Sequence, residues 1–225
     1  MSSSPFYKNS GKISLASHVS MHFRKTMFNK FMQIMQPQPH YKVLDIGVTS
    51  DNTYQESNYF EKMYPYTSQI ICIGTENGRH LEKLYPGLKF QKVKTGQPYR
   101  FKDKEFDIAF SNAVLEHVGN TEEQTSFVRE IARVSKTFFI TTPNRWFPVE
   151  FHTVIPFLHF LPKNTYRKIL SMLGESYWSK EENLNILSKR ELRNLFPKDA
   201  KVVIDSVRLL GFSTNLIIHG NSCVF

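Results

Sequence analysis

The feature that most constrains the fold is a short apolar stretch at residues 41–47, which ends in an acidic residue and a glycine. A continuously apolar run of β-forming residues predicts a parallel strand that is buried on both faces. Ligands of open α/β sheets bind just beyond the carboxyl ends of such strands. Asp45 and Gly47 are therefore candidates for a ligand site. An ordinary strand end, with Asp45 capping a turn, explains this stretch equally well.

Further apolar stretches repeat the pattern along the chain. They lie at residues 69–76, 106–112 and 137–143, and helical patterns follow several of them. Strands that alternate with helices predict βαβ units and a parallel sheet. The second strand ends in Glu76, and an acid at that place usually binds ribose hydroxyls in nucleotide-binding folds.

Three motifs in order carry a family resemblance: residues 43–47, 106–109 and 113–118. Together they resemble the class I S-adenosylmethionine-dependent methyltransferases, and in particular the small-molecule branch called type 11. The resemblance covers about residues 41–145, and residues 143–152 resemble a bacterial subgroup of that branch. It implies an α/β, Rossmann-like fold with a mostly parallel seven-stranded sheet, a C-terminal antiparallel hairpin and helices on both faces. It also implies S-adenosylmethionine as the cofactor.

The resemblance assigns a set of cofactor-binding positions. Glu76 is expected to hold the ribose, with Asn77 as the substitute, and Asp45 and Gly47 are expected at the methionine end. The full expected set is Asp45, Gly47, Glu76, Asn77, Thr95, Gly96, Ser111 and Asn112.

Two departures from the family pattern concern this site. The loop after the first strand has one glycine where the family usually has Gly-x-Gly, and Thr95 stands near the place of an adenine-binding Asp. A second hypothesis is therefore a catalytically weak or inactive methyltransferase-like interaction domain. A hydride-transferring dinucleotide site is less compatible with the sequence, because residues 47–52 lack the G-x-G-x-x-G pattern that cradles a pyrophosphate.

The chain divides into an N-terminal region at residues 1–40 and a methyltransferase domain at residues 41–225, with a cap insertion at 146–187. Apolar residues spaced four apart predict an amphipathic helix over residues 15–35, which Pro37 and Pro39 terminate. Docking on the sheet or over the cofactor is the usual role of such a stripe, and peripheral contact with a membrane surface is the alternative. Residues 122–134 and 188–195 predict further helices, and residues 201–219 predict the terminal hairpin.

The cap is the expected place for the methyl acceptor. His152 is the best candidate for a general base, with His117 as the second candidate, because histidine titrates near neutrality. Glu150 would orient His152 only if the backbone between them is not extended. Trp146, Phe151 and Phe157 would supply an apolar wall. The expected acceptor is an oxygen or nitrogen of a small molecule or of a sugar- or lipid-linked compound.

The composition of the chain limits which binding partners, metals and cellular locations are expected. The net charge of +9 is spread along the chain, so nucleic acid is an unlikely partner and an anionic acceptor is another explanation of the charge. Cys72 and Cys223 provide neither a disulfide framework nor a zinc spacing, so no metal site is expected. No secretory signal or membrane-spanning stretch is visible, which favours the cytoplasm. The oligomeric state is not specified by the sequence.

Overall fold

The computed structural model describes residues 15–51, 54 and 56–222, which form one mixed sheet with helices on both faces. The strands are β1 (Val43–Ile46), β2 (Ile70–Gly74), β3 (Lys89–Lys92), β4 (Phe106–Asn112), β5 (Ser135–Pro143), β6 (Val202–Leu209) and β7 (Phe212–Asn221). The helices are α1 (Leu15–Met35), α2 (Tyr59–Met63), α3 (His80–Leu84), α4 (Thr121–Val134), α5 (Lys163–Met172) and α6 (Lys189–Asn194). Residues 1–14 and Cys223 lie outside the described residues.

The strand order across the sheet is β3-β2-β1-β4-β5-β7-β6. Neighbouring strands from β3 to β5 are parallel, and β7 runs antiparallel to both β5 and β6. Leu210 and Gly211 close the β6–β7 hairpin with φ values of 48° and 87°, as a tight two-residue turn requires. The predicted α/β fold, with a mostly parallel seven-stranded sheet and a C-terminal antiparallel hairpin, is confirmed, and the carboxyl ends of β1, β2, β4 and β5 meet at one edge of the sheet.

Helix α1 packs its apolar stripe against one face of the sheet. Phe31 is fully buried, and its ring meets those of Phe60, Phe110 and Phe139 at centroid distances of 5.1, 5.4 and 5.5 Å. The stripe that would face a membrane surface is thus in contact with the sheet. Within the described residues, no helix is both long and apolar enough to cross a bilayer.

Helices α4 and α6 cover the opposite face. Each begins with a capping box, in which Asn120 pairs with Glu123 and Ser188 pairs with Glu191. Alternate residues of one strand serve the two faces: Phe138 packs with the α4 and α6 side, and Phe139 packs with the α1 side. Such alternation is the period of two that a strand imposes.

The cap has a small core of its own. This cluster consists of Tyr166, Leu170, Trp178, Leu184 and Ile186. Helix α5 begins directly after Pro162. Proline is tolerated at the start of a helix, where its missing N–H breaks no helical hydrogen bond. The cap therefore folds over the sheet edge as a packed unit, and it covers the site where ligands of this fold bind.

Candidate functional site

A large cleft opens at the carboxyl ends of β1, β2 and β4. Its volume is about 2220 Å³. Residues after β1, β3 and β4 line one half, and residues 149–154 together with Tyr177 and Trp178 of the cap line the other half. One continuous cavity therefore joins the sheet edge to the cap.

Most of the predicted site residues lie on this cleft. They are Asp45, Gly47, Glu76, Thr95, Gly96, Asn112, His117 and His152.

Two predicted cofactor residues, Asn77 and Ser111, are not among those that line the cleft. The buried Ser111 hydroxyl donates to the carbonyl of Ile46 at 3.3 Å, and the Asn77 side chain accepts from the backbone N–H of Arg79 at 3.2 Å. Both side chains support the local backbone. Each is the direct neighbour in sequence of a residue that lines the cleft, Glu76 for Asn77 and Asn112 for Ser111. The motifs alone did not distinguish the residues that face the cleft from their neighbours.

Gly47 begins the loop after β1 in a left-handed conformation, with φ +102°. A Cβ atom at this position would lie 2.1 Å from the Val114 side chain. The backbone N–H of Gly47 donates to the carbonyl of Ile73 at 2.8 Å. The glycine is therefore required both by its backbone conformation and by the close packing of Val114. The sequence alone predicted Gly47 only as a residue of the ligand site.

Glu76 connects the loop after β1 to the end of β2. The Ser50 hydroxyl donates to Glu76 Oε2 at 2.5 Å, and the Ser50 backbone N–H donates to the same atom at 3.2 Å. The carboxylate remains exposed on the cleft. It is thus held in place and open to a ligand that carries hydroxyl groups.

Beneath this loop lies a buried acidic cluster of Asp45, Glu61 and Cys72. The potential ligand atoms of the three side chains lie within 4.8 Å of one another, and the Cys72 thiol donates to Glu61 Oε1 at 3.1 Å. Burial, together with the neighbouring Glu61 carboxylate, raises the pKa of Asp45 well above its usual value. Burial also raises the pKa of Cys72, so this thiol is held in its unreactive form.

Helix α1 brings a cation to the same end of the cleft. The Arg24 guanidinium lies 5.5 Å from the centre of the Tyr59 ring, and both residues line the cleft. Arg24 Nε and the Tyr59 hydroxyl are buried without a hydrogen-bond partner among the described residues. Sequence reasoning missed Arg24, Tyr59 and Glu61, because charges on an amphipathic helix usually face solvent and α2 is too short to show a helical period.

His152 is fixed in the cap by Glu150. His152 Nδ1 lies 2.5 Å from Glu150 Oε1, which also accepts the His152 backbone N–H at 2.7 Å. Glu150 Oε2 accepts from the N–H and hydroxyl of Thr153 at 2.6 and 2.8 Å. Residues 151–153 form a turn, which meets the condition that the backbone between Glu150 and His152 must not be extended.

His117 faces His152 from the short 3₁₀ turn Leu115–His117 that follows β4. The two Nε2 atoms are 3.1 Å apart, and His117 Nδ1 lies 2.7 Å from the carbonyl oxygen of Asn183. The Trp178 ring lies 4.7 Å from the His152 ring. The two predicted catalytic histidines are thus brought into direct contact.

Glu116 lies behind this pair and is fully buried. Its Oε2 accepts from the Thr142 hydroxyl at 2.8 Å. Its Oε1 is 4.0 Å from His117 Nε2 and has no hydrogen-bond partner among the described residues. The potential ligand atoms of Glu116, His117 and His152 all lie within 4.8 Å of one another.

The environment separates the pKa values of these four groups. Burial alone would raise the pKa of Glu150, but the hydrogen bond and charge of His152 lower it to about 2. Burial opposes protonation of His152, and Glu150 nevertheless raises its pKa. Burial and the neighbouring His152 lower the pKa of His117 to about 4, and burial raises the pKa of Glu116.

The apolar wall of the cap half differs from the predicted one. Phe151 lines the cleft, whereas Trp146 and Phe157 are exposed and do not belong to its lining. Tyr177 and Trp178 supply the wall from a later part of the cap. The sequence contained no pattern that placed Trp178 next to His152, because that contact depends on the path of the cap.

Comparisons with known proteins relate part of the chain to a known family. Residues 57–137 match the Methyltransf_11 family model, described as a methyltransferase domain. This match spans α2 to the start of β5 and includes Glu76, Asn112 and His117. A search of curated proteins finds no match.

Several solved structures share the fold. The PH0226 protein from Pyrococcus horikoshii OT3 is 16% identical, with a TM-score of 0.56, over 89% of this chain and 90% of that chain. An S-adenosylmethionine-dependent methyltransferase from Mesorhizobium loti is 11% identical, with a TM-score of 0.55, over 86% of this chain and 96% of that chain. Magnesium protoporphyrin IX methyltransferase (ChlM) from Synechocystis PCC 6803, solved with bound SAH, is 12% identical, with a TM-score of 0.51, over 94% of this chain and 89% of that chain.

The family match includes the motifs at residues 106–109 and 113–118, and the motif at residues 43–47 lies on β1 of the shared fold. The predicted resemblance is thereby confirmed: residues 57–137 match a methyltransferase domain, and the chain shares its fold with solved methyltransferases.

Proposed function

We propose that the protein transfers a methyl group from S-adenosylmethionine to an oxygen or nitrogen of a small-molecule, sugar-linked or lipid-linked acceptor. The observation that carries this proposal is the single cleft that has two chemically different halves. The sheet half presents Glu76 and Arg24, and the cap half presents the paired His117 and His152. A donor and an acceptor bound side by side would meet between them.

The residues of the sheet half fit the donor. The exposed carboxylate of Glu76 suits a ribose, because one carboxylate can accept hydrogen bonds from two hydroxyl groups. The guanidinium of Arg24, with its unpartnered Nε, suits the carboxylate of the methionine moiety. Thr95 and Gly96 lie on the same cleft and are proposed for the adenine side, and Asn112 for the side nearer to the acceptor.

The chemistry asks little of the protein beyond alignment. S-adenosylmethionine supplies a methyl group that its positively charged sulfur has already activated. The acceptor atom forms the new bond to carbon as the carbon–sulfur bond breaks, and the bonding electrons stay with sulfur. An acceptor hydroxyl also loses a proton, and His152, whose position Glu150 fixes, is the proposed group at that place. His117 would support it from the opposite side.

The cap half supports an acceptor that has an apolar part. Phe151 and Val154 line the cleft while 44% and 60% of their surfaces remain exposed. Apolar side chains in a cleft together with a few fixed polar groups are typical of small-molecule sites.

Calorimetric titration with S-adenosylmethionine and S-adenosylhomocysteine tests the proposal. We expect both compounds to bind. If neither compound binds at millimolar concentration, the proposal is wrong. Turnover is then measured with a panel of hydroxylated and aminated acceptors, with and without apolar chains.

A second candidate function is that of a methyltransferase-like interaction domain with little or no activity. The single glycine of the loop after β1 and Thr95 in place of the expected Asp favour it. Cofactor binding without transfer to any acceptor of the panel would support this alternative.

A further inference from the structure

Three hydrogen-bond acceptors converge at the boundary between the sheet and the cap. They are Nε2 of His117, Nε2 of His152 and Oε1 of Glu116. The carbonyl of Asn183 can only accept a hydrogen bond, so His117 Nδ1 carries the hydrogen in that contact. The Glu150 carboxylate fixes the hydrogen of His152 on Nδ1 in the same way. Each neutral imidazole therefore directs the lone pair of its Nε2 atom toward the other.

Two such lone pairs repel each other at 3.1 Å unless a cation lies between them. A proton would satisfy the two nitrogen atoms and leave Glu116 Oε1 buried without a partner. A buried carboxylate oxygen without a partner costs free energy. A metal ion bound to all three atoms would satisfy the whole cluster.

We propose that Glu116, His117 and His152 bind a divalent transition metal ion, with Zn²⁺ as the expected occupant. Two imidazoles and one carboxylate form a ligand set that leaves one position of a tetrahedral zinc ion open. Bonds of 2.0–2.1 Å to such an ion place the ligand atoms about 3.3 Å apart. The separations of 3.1 Å between the histidines and 4.0 Å from Glu116 to His117 bracket this value.

The groups that surround the three ligands support the assignment. A metal-binding histidine almost always donates its other N–H to a carboxylate or a carbonyl. His152 does so to Glu150, and His117 does so to Asn183. Glu116 in turn accepts from the Thr142 hydroxyl. The tautomers of the two histidines and the orientation of all three ligands are thus fixed by partners that are themselves buried or part of the backbone.

The site would act on the methyl acceptor. All three ligands line the cleft, so the open position faces the cavity where the acceptor is proposed to bind. An acceptor hydroxyl bound to the ion would release its proton to water at a much lower pH than in solution. The oxygen would then form the bond to the methyl carbon as the electrons of the carbon–sulfur bond pass to sulfur. This role of the ion rests on the proposed function, whereas the binding of the ion does not. With the ion bound, water rather than His152 accepts the proton of the acceptor hydroxyl.

The test is a titration of the full chain, free of any histidine tag and stripped by a chelator, with Co²⁺. Bound Co²⁺ has a visible absorption spectrum that reports its ligands and geometry. We expect one Co²⁺ per chain, displaced by Zn²⁺. The variants His117→Gln and His152→Gln should lose the spectrum, and Glu150→Gln should weaken binding roughly 10- to 100-fold. His22→Gln, which changes an exposed histidine of α1, should bind as the wild type does.

Two results would overturn the inference. One is the absence of a Co²⁺ spectrum in wild-type protein with an intact circular dichroism spectrum, which would leave a proton as the shared cation. The other is binding that survives in both histidine variants. Calorimetry with S-adenosylhomocysteine on the same stripped protein separates this test from the proposed function, because the cofactor and the ion are expected to bind independently.

Discussion

Asp45 is placed where its carboxylate form is unfavourable. Its side chain is 4% exposed and lies beside Glu61, whose carboxyl group is also buried. Two carboxyl groups that share a buried space cannot both ionise easily. The cluster therefore lowers the stability of the fold at neutral pH, as strained or unpaired groups at functional sites often do.

We expect Asp45→Asn to raise the melting temperature by a few degrees at pH 8. Burial raises the pKa of Asp45 in the folded protein, so the folded state holds its proton over a pH range in which the unfolded state has lost it. Stability therefore falls as pH rises from the unfolded value of about 4 toward the folded value. The gain from Asp45→Asn should shrink as the pH is lowered toward 5, as measured by thermal melts at several pH values.

Asp107 provides a control of opposite sign. Burial opposes ionisation there, but the bonds from Lys136 and from the N–H of Lys42 lower its pKa. Its stabilising effect is present above the unfolded pKa and is lost as the pH falls through the folded one. Asp107→Asn should therefore lower the melting temperature at pH 8. Parallel pH profiles for the two variants would contradict the assignment of Asp45.

Glu76→Gln should weaken the binding of S-adenosylhomocysteine by about 1–3 kcal/mol, the usual loss for a charged hydrogen-bond partner. The carboxylate lies on the cleft and is positioned by Ser50. Calorimetry measures the change, and Glu82→Gln, an exposed acid that does not line the cleft, is the matched control. Unchanged affinity would mean that another group binds the ribose.

Arg24→Gln should also weaken cofactor binding, by about 1–3 kcal/mol, if its guanidinium pairs with the methionine carboxylate. Lys25→Gln, on the exposed side of the same helix, should leave the affinity unchanged. The same calorimetric titration decides the matter. Equal effects of the two variants would indicate a general loss of positive charge rather than a contact.

At the scale of elements, α1 is part of the core of the domain. Phe31 has no exposed surface and contacts rings from α2, β4 and β5. Removal of a buried Phe side chain leaves a cavity and costs about 3–5 kcal/mol. We therefore expect Phe31→Ala to lower the free energy of unfolding by that amount in urea titrations, and Gln33→Ala, which is exposed on the same helix, to change it little. A small effect of Phe31→Ala would mean that α1 is only loosely attached.

The elements that the sequence predicted well are those with strong local signals. The bounds of α1, the helix that begins after Ser188 and the terminal hairpin follow from the helical period, cap chemistry and a tight connection. Helix α2 was missed, because its five residues are too few to show a helical period. Glu61, which lies on this helix, was therefore not predicted as a residue of the site.

Contacts between distant segments account for the rest. His117 and His152 were both predicted as site residues, but nothing in the sequence placed their Nε2 atoms in contact. That contact depends on the turn at residues 151–153 and on the 3₁₀ turn after β4. Short irregular turns of this kind have no periodicity from which their direction can be inferred.

At the scale of the whole molecule, Asn185 joins the cap to the sheet. Its side chain donates to the carbonyl of Gly119 at 2.8 Å and accepts from Lys163 at 2.8 Å. Its backbone N–H donates to the carbonyl of Glu116 at 2.7 Å, and its carbonyl accepts from Gln124 at 3.0 Å. The segment that carries Glu116 is thereby held by the cap, so the two halves of the cleft form one cooperative structure.

We therefore expect cap and sheet to unfold together. Both tryptophans of the chain, Trp146 and Trp178, lie in the cap, so their fluorescence reports the cap while far-ultraviolet circular dichroism reports mainly the sheet and its helices. The two urea transitions should coincide, as for a two-state domain. Asn185→Ala should shift both by about 1–3 kcal/mol, because it leaves the buried Gly119 carbonyl without its donor. The exposed Asn194→Ala should shift neither. A fluorescence transition at lower urea than the dichroism transition would show instead that the cap opens independently of the sheet.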